Sequence, residues 1–124
     1  MHLSKVFILG ISNNEKRNSF LTYRFLQNIG HQIVGIPLHN EQVQHVELPI
    51  ISKDTPHTNH VETVSIFVTP VKQKKYYQAI LDLKPKQIIF NPGYENQELA
   101  ALASQQNIKT YFGCTIALYS MGVI

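Results

Sequence analysis

The chain has one cysteine, Cys114, among 124 residues. No intramolecular disulfide can form, so the small disulfide-stapled folds are excluded. Charged residues are also sparse, at 15% against 44% hydrophobic. That balance belongs to a globular chain and not a disordered one. No apolar run approaches the roughly 20 residues of a membrane-spanning helix. Met1-His2-Leu3-Ser4-Lys5 leads directly into a short strand-like run. It has neither the apolar core nor the small-residue cleavage site of a signal peptide, so a cytoplasmic protein is expected. Charge of one sign is scarce too: 11 basic and 8 acidic residues leave a net +3. This mild excess suits anionic small molecules. There is no long basic run of the kind that binds nucleic acid. The six histidines are scattered. Only His57 and His60 lie three apart, in a Thr/Pro/Asn-rich stretch, so no metal site is expected.

What is present is an alternation of short apolar runs and amphipathic stretches. Lys5 to Leu9 reads as a strand buried on both faces, bounded by Gly10. From Ser19 to Ile29, Leu21, Phe25 and Ile29 recur at four, and Leu26 widens the stripe. Gly30 follows where a helix end favours a left-handed residue. Gln32 to Pro37 is a second strand. His39 to Thr63 reads as an irregular crossover, with a short strand near Val46 to Ile50. Val64 to Val68 is a third strand. Lys72 to Leu83 is an amphipathic helix with Tyr76, Tyr77, Ile80 and Leu81 on one side, stopped by Pro85. Gln87 to Phe90 is a fourth strand. After the turn Asn91-Pro92-Gly93, Asn96 is suited to cap a helix that buries Leu99, Leu102 and Ala103. Lys109 to Phe112 is a fifth strand, and Thr115 to Met121 a short closing helix.

This order predicts one α/β domain over residues 1–124. It is a Rossmann-like, doubly wound, five-stranded parallel sheet with helices on both faces. Ligands of such sheets bind at the C-terminal ends of the strands. Here those ends are Gly10 to Ser12, Pro37-Leu38-His39, Thr69-Pro70, Asn91-Pro92-Gly93 and Gly113-Cys114.

The first loop lacks the glycines of a dinucleotide site. That site needs three: for a tight turn, close pyrophosphate approach and helix packing. Positions 10, 12 and 15 are Gly, Ser and Glu. No acidic residue stands at the end of the second strand to hold ribose hydroxyls. NAD or FAD in the usual mode is therefore not expected, and a Walker loop is absent. The loop does hold Gly10, the hydroxyls of Ser12 and Ser19, and the cations Lys16 and Arg17 ahead of a helix N-terminus. Such groups can hold phosphate. The plainer alternative is a turn with solvated charges. Asn91-Pro92-Gly93 is likewise either a turn or a pocket lining. For Cys114 a packed, inert thiol is the plainer reading.

The loop GISNNEKRNSF resembles the first loop of the CoA-binding-domain family, whose Rossmann-like fold also forms the CoA-binding part of succinyl-CoA synthetase alpha subunits. Gly10, Ser12, Arg17, Ser19 and Phe20 match in register. The segment LKPKQIIFNPGYENQELAALASQQNIKTYFGCT is similar to the family's fourth strand, Asn-Pro-Gly turn, helix and Cys-Thr ending. Asn91, Pro92, Gly93, Glu95, Asn96, Cys114 and Thr115 carry that match. The chain departs from the family pattern in three places. Tyr94 replaces the small polar residue usual after Asn-Pro-Gly, Gly113 stands where Ala is frequent, and the second strand ends Ile-Pro-Leu.

The resemblance implies a stand-alone protein that binds a small nucleotide ligand, CoA or acyl-CoA, with no catalysis evident. Gly10, Ser12, Lys16, Arg17, Ser19, Pro37, Leu38, Thr69, Pro70, Asn91, Pro92, Gly93 and Cys114 are its expected binding residues. It also places Cys114 near the pantetheine end. The alternative in another class is a small α/β enzyme or redox protein using Cys114 on an acyl or nucleotide substrate. A third is a fold member kept only for protein interaction, with Tyr94 filling the pocket. No nucleic-acid or membrane partner is expected. The oligomeric state is open, a homodimer being compatible with the sequence.

Overall fold

The computed structural model describes residues 3–37 and 61–124. Leu38, the expected strand near Val46 to Ile50, and His2, His39, His45, His57 and His60 lie outside the described residues. Strands β1 (Lys5–Ile11), β2 (Gln32–Pro37), β3 (Val61–Ile66), β4 (Gln87–Phe90) and β5 (Lys109–Phe112) form one sheet in the order β2-β1-β3-β4-β5. Every pairing is parallel. Helices α1 (Asn18–Asn28), α2 (Pro70–Gln73), α3 (Tyr77–Asp82), α4 (Gln97–Ser104) and α5 (Thr115–Ser120), with a 3₁₀ turn over Lys74–Tyr76, complete the described elements.

Alternation along β1 creates two cores. Phe7 and Leu9 point to one face, where they meet Val64, Ile66, Ile88 and Phe90 of the sheet, Ile80 and Leu81 of α3 and Leu99 and Ala103 of α4. Val6, Ile8 and Ile11 point to the other, against Tyr23 and Leu26 of α1, with Tyr119 of α5 at the margin. Successive strand side chains face opposite ways, so a run that is apolar at every position demands a helical layer on each side. The expected five-stranded parallel sheet with helices on both faces is the observed fold.

β1 runs on through Gly10 to Ile11, past its expected end at Leu9, and three other elements differ more in their bounds or faces. The third strand begins at Val61 and ends at Ile66. Its polar members Thr63 and Ser65 are buried, and the polarity of Glu62 and Thr63 hid the strand's start. Thr63 Oγ1 bonds Tyr119 OH at 2.8 Å and accepts from Gln87 Nε2 at 2.7 Å, which satisfies the buried hydroxyl. Burial, foremost, raises the Tyr119 pKa and keeps the phenol neutral. The expected helix from Lys72 to Leu83 starts at Pro70, which occupies the first helical turn, and is broken by a 3₁₀ turn over Lys74–Tyr76. In α1 the buried residues are Ser19, Thr22, Tyr23 and Leu26, while Leu21 is 47% exposed. The apolar repeat at four ran beside the buried face because small polar residues occupy part of that face. α1 ends as expected: Gly30 N donates to Gln27 O and His31 N to Leu26 O, a Schellman closure.

Gly10 lies where the pairing of β1 with β2 shifts register. Its φ is +92°, and an added Cβ would lie 2.8 Å from both Phe67 O and Val68 Cγ1. Gly93 has a similar φ of +95° but open space around it. Gly10→Ala and Gly93→Ala therefore share the backbone strain and differ in the clash. We expect Gly93→Ala to cost about 1–2 kcal/mol of stability. Gly10→Ala should cost about 1–3 kcal/mol more, from overpacking. Urea unfolding of the two variants measures the difference, and equal losses would show that the contact with Phe67 is soft.

Candidate functional site

The strand order reverses between β1 and β3, which makes their C-terminal ends a topological switch point and opens a crevice there. Phe67 N donates to Leu9 O at 2.8 Å and closes the base of that crevice. Gly10 permits the approach, since any side chain would strike Phe67 O.

The loop from Ile11 to α1 is organised by its own short polar side chains. Asn14 N donates to Ser12 Oγ at 3.0 Å, Lys16 N to Asn14 Oδ1 at 3.0 Å, and Arg17 N to Asn14 O at 2.9 Å. Such local bonds are how Ser and Asn favour turns over helix. Ser12 is buried and serves as a turn acceptor, so its hydroxyl braces the loop. Arg17 is the N-cap of α1, with extended backbone and no capping bond from its side chain. No acidic residue lies in the first turn. The first-turn amides thus keep their capacity to meet an anion.

A cleft of about 240 Å³ opens at this helix end, lined by Lys16, Arg17, Asn18, Ser19, Phe67 and Tyr94. Three expected site residues, Lys16, Arg17 and Ser19, are brought together in it. Lys16 and Arg17 are exposed and have no carboxylate partner among the described residues. Glu15 is exposed and does not line the cleft. Asn18 and Phe67 were missed by sequence reasoning. Asn18 could have been found as the residue between the matched Arg17 and Ser19. Phe67 had no signal beyond an apolar strand.

The other expected residues are placed elsewhere or do other work. Pro37 is half-buried at the end of β2, on the other side of β1 from Phe67 and Tyr94. Thr69 and Pro70 are exposed, as N-cap and first residue of α2. Asn91 is buried, and its amide is fully engaged. Nδ2 donates to Ser65 Oγ and Ile66 O, each at 3.0 Å. Oδ1 accepts from Thr115 N and Thr115 Oγ1, each at 3.0 Å. Ser65 Oγ and Thr115 Oγ1 are 2.8 Å apart and close the ring. Two donors and two acceptor positions are all an amide side chain has. Asn91 therefore braces β3, β4 and α5, and none of its four positions is left for a ligand. Pro92 and Gly93 are exposed, but Gly93 N donates to the Glu95 carboxylate at 3.1 and 3.3 Å. That carboxylate occupies the place an anionic ligand would take on the turn. Cys114 is exposed as the N-cap of α5, so the thiol is not packed in the core as the plainer reading had it.

A second buried amide pair fixes the rim. Gln73 Nε2 donates to Val68 O at 2.8 Å and Tyr94 O at 3.0 Å, so one side chain joins the loops after β3 and β4. Asn96 Nδ2 donates to Gln73 Oε1 and to Tyr77 OH, both at 2.8 Å, and Asn96 Oδ1 caps α4 at Leu99 N. The expected capping role of Asn96 is thus observed. Desolvation, foremost, raises the Tyr77 pKa.

With this geometry in place, the family model described as CoA binding domain matches residues 4–120. The chain belongs to the CoA-binding domain family. A crystal structure described as that of an uncharacterized protein is 32% identical to this CoA-binding domain over 100% of both chains, with a TM-score of 0.87. A protein from Thermus thermophilus is 16% identical, with 96% of this chain and 90% of that one covered and a TM-score of 0.79. A hypothetical protein from Pyrococcus horikoshii OT3 is 20% identical, with 96% and 83% covered and a TM-score of 0.77. The last two likenesses bear on the fold alone. No curated protein matches the chain. Among the described residues of the domain, no helix is long and apolar enough to cross a membrane, and no group of three His, Cys, Asp or Glu could hold a metal ion.

The bracing role of Asn91 predicts a stability defect. Asn91→Ala would leave the buried Thr115 N–H without its partner, at about 1–3 kcal/mol for a group left unsatisfied, and would take one bond from each of the Ser65 and Thr115 hydroxyls, which keep each other. We expect a total loss of about 2–4 kcal/mol in chemical denaturation, within the upper range for single substitutions. Thr115→Ser keeps the hydroxyl and should cost less. An Asn91→Ala variant as stable as the parent would remove Asn91 from its bracing role.

Proposed function

We propose that this CoA-binding domain holds CoA across the C-terminal ends of the strands, as a binding module and not a catalyst. One observation carries the reading. Lys16, Arg17 and Ser19 are gathered at the uncapped N-terminus of an 11-residue helix, in a cleft at the β1/β3 switch point. Helix amides and cations with no carboxylate partner among the described residues together make a phosphate site. The ligand diphosphate lies against the first turn of α1, and Lys16 and Arg17 offset its charge. Pro37 flanks the ligand on the β2 side. Thr69, Pro70, Pro92 and Gly93 form the outer rim on the β3 and β4 side, and Cys114 stands beyond it. Free CoA and acyl-CoA are both accommodated by a site that recognises phosphates. No base is assigned to Cys114, so a nucleophilic step has no support among the described groups.

The exposure of Cys114 favours a second reading, a thiol enzyme acting on an acyl or nucleotide substrate. Rapid alkylation of Cys114, suppressed by CoA, would support that reading; slow alkylation indifferent to CoA would oppose it.

Titration calorimetry tests the main reading. Arg17→Ala should weaken CoA binding by about 1.5–3 kcal/mol, the worth of a charged hydrogen bond. Its stability should change by no more than about 0.5 kcal/mol, as for other exposed positions. CoA should also bind more tightly than dephospho-CoA, because its 3′-phosphate adds charge near Lys16 and Arg17. That gap should narrow as salt rises. No binding of CoA by the parent protein would end the proposal, and unchanged affinity in Arg17→Ala would show that this side chain is only solvated.

A further inference from the structure

The cleft has two unlike walls. One is the polar segment Lys16 to Ser19, and the other is aromatic, built from Phe67 and Tyr94. A site for bare phosphate has no use for the second wall. At about 240 Å³ the cleft is also smaller than the roughly 300–1,000 Å³ that encloses a whole organic ligand. It has room for the charged centre of a ligand and the first part of an arm leaving it.

Tyr94 is held unusually well for a loop residue. Its N–H donates to Asn91 O at 2.9 Å. Its carbonyl accepts from Gln73 Nε2, the group that also binds Val68 O next to Phe67. Its ring meets Phe67 edge-on, with centroids 6.1 Å apart and planes at 68°. Tyr94 also packs against both hydrophobic cores while remaining partly exposed. The backbone is thus anchored at both ends and the ring is fixed by its neighbours. A wall fixed before the ligand arrives costs little ordering entropy on binding.

We propose that Tyr94 is a ligand-contacting, specificity-determining residue of this cleft, its ring forming the wall on which the organic arm of a bound organic diphosphate packs. The inference rests on the CoA reading above and adds to it which residue selects the arm. An open cleft beside Tyr94 speaks against the alternative in which that residue plugs the pocket. The arm is either the adenosine or the pantetheine side of CoA. Both present apolar surface next to phosphate, and an aromatic face accepts either a planar base or an alkyl chain.

Two measurements decide the matter. In calorimetry, Tyr94→Leu should bind CoA about tenfold more weakly, the scale of one lost aromatic contact. Tyr94→Phe keeps the ring and should bind within about twofold of the parent, a difference worth well under one tenfold step. Intermolecular nuclear Overhauser effects on the parent protein with bound CoA should link Tyr94 ring protons to the ligand, so the test does not depend on a variant that folds. Contacts to adenine protons assign the adenosine arm; contacts to the pantetheine methyls assign the other. Binding of CoA by the parent with no such contacts, or with Tyr94→Leu unchanged, overturns the role of Tyr94 alone. An absence of CoA binding by the parent overturns the CoA reading and this inference with it.

Discussion

The closed ring of hydrogen bonds around Asn91 is the constraint on which the ligand end of the sheet depends. Nδ2 of Asn91 donates to Ser65, Ser65 to Thr115, and Thr115 back to Oδ1 of Asn91. Each hydroxyl gives one proton and receives one, so the direction is consistent around the ring. Such a ring in a buried setting is cooperative, and leaving any member unpaired is costly. It ties the tips of β3 and β4 to the start of α5. Asn91 O then receives Tyr94 N, which carries the order from the buried ring into the rim of the cleft.

The cleft is a consequence of that fixed frame and of one close approach. Gly10 lets the end of β1 pass against Phe67, and the Phe67 N–H to Leu9 O bond secures it. The loop then turns on Ser12 and Asn14 and delivers Lys16 and Arg17 to an uncapped helix end. Gln73 performs the matching task on the opposite side by joining Val68 and Tyr94. Buried amides therefore brace the rim, while exposed cations, the buried Phe67 and the half-buried Tyr94 line the crevice. Polar residues divide by burial into those that hold the scaffold and those that stay available.

The inner strands were legible because they are short runs buried on both faces, a pattern that a covered parallel sheet explains, while the edge strand β5 is only partly buried. β2, β4 and β5 have the expected bounds. The start of β3 was displaced because Glu62 and Thr63 are polar, and the partners of buried Thr63 are Tyr119 and Gln87, far away in sequence. The same cause misled the face of α1, where Ser19 and Thr22 face inward and Leu21 outward. Hydrophobic periodicity cannot register a polar residue whose partner lies on another element.

The sequence by itself determined the parallel α/β class, the place of the first loop ahead of a helix, the cap at Asn96, and a resemblance spread over the chain that the family match over 4–120 bears out. Those are local or periodic properties, readable from neighbouring residues. Which polar residues face the crevice was decided only by the tertiary structure. Asn91 is as polar as Arg17, but Ser65, Ile66 and Thr115 consume its amide, while nothing among the described residues pairs with the Arg17 guanidinium. Hydrogen-bonding capacity is a property of the residue; whether it is spent inside the fold depends on which distant groups packing brings within about 3 Å.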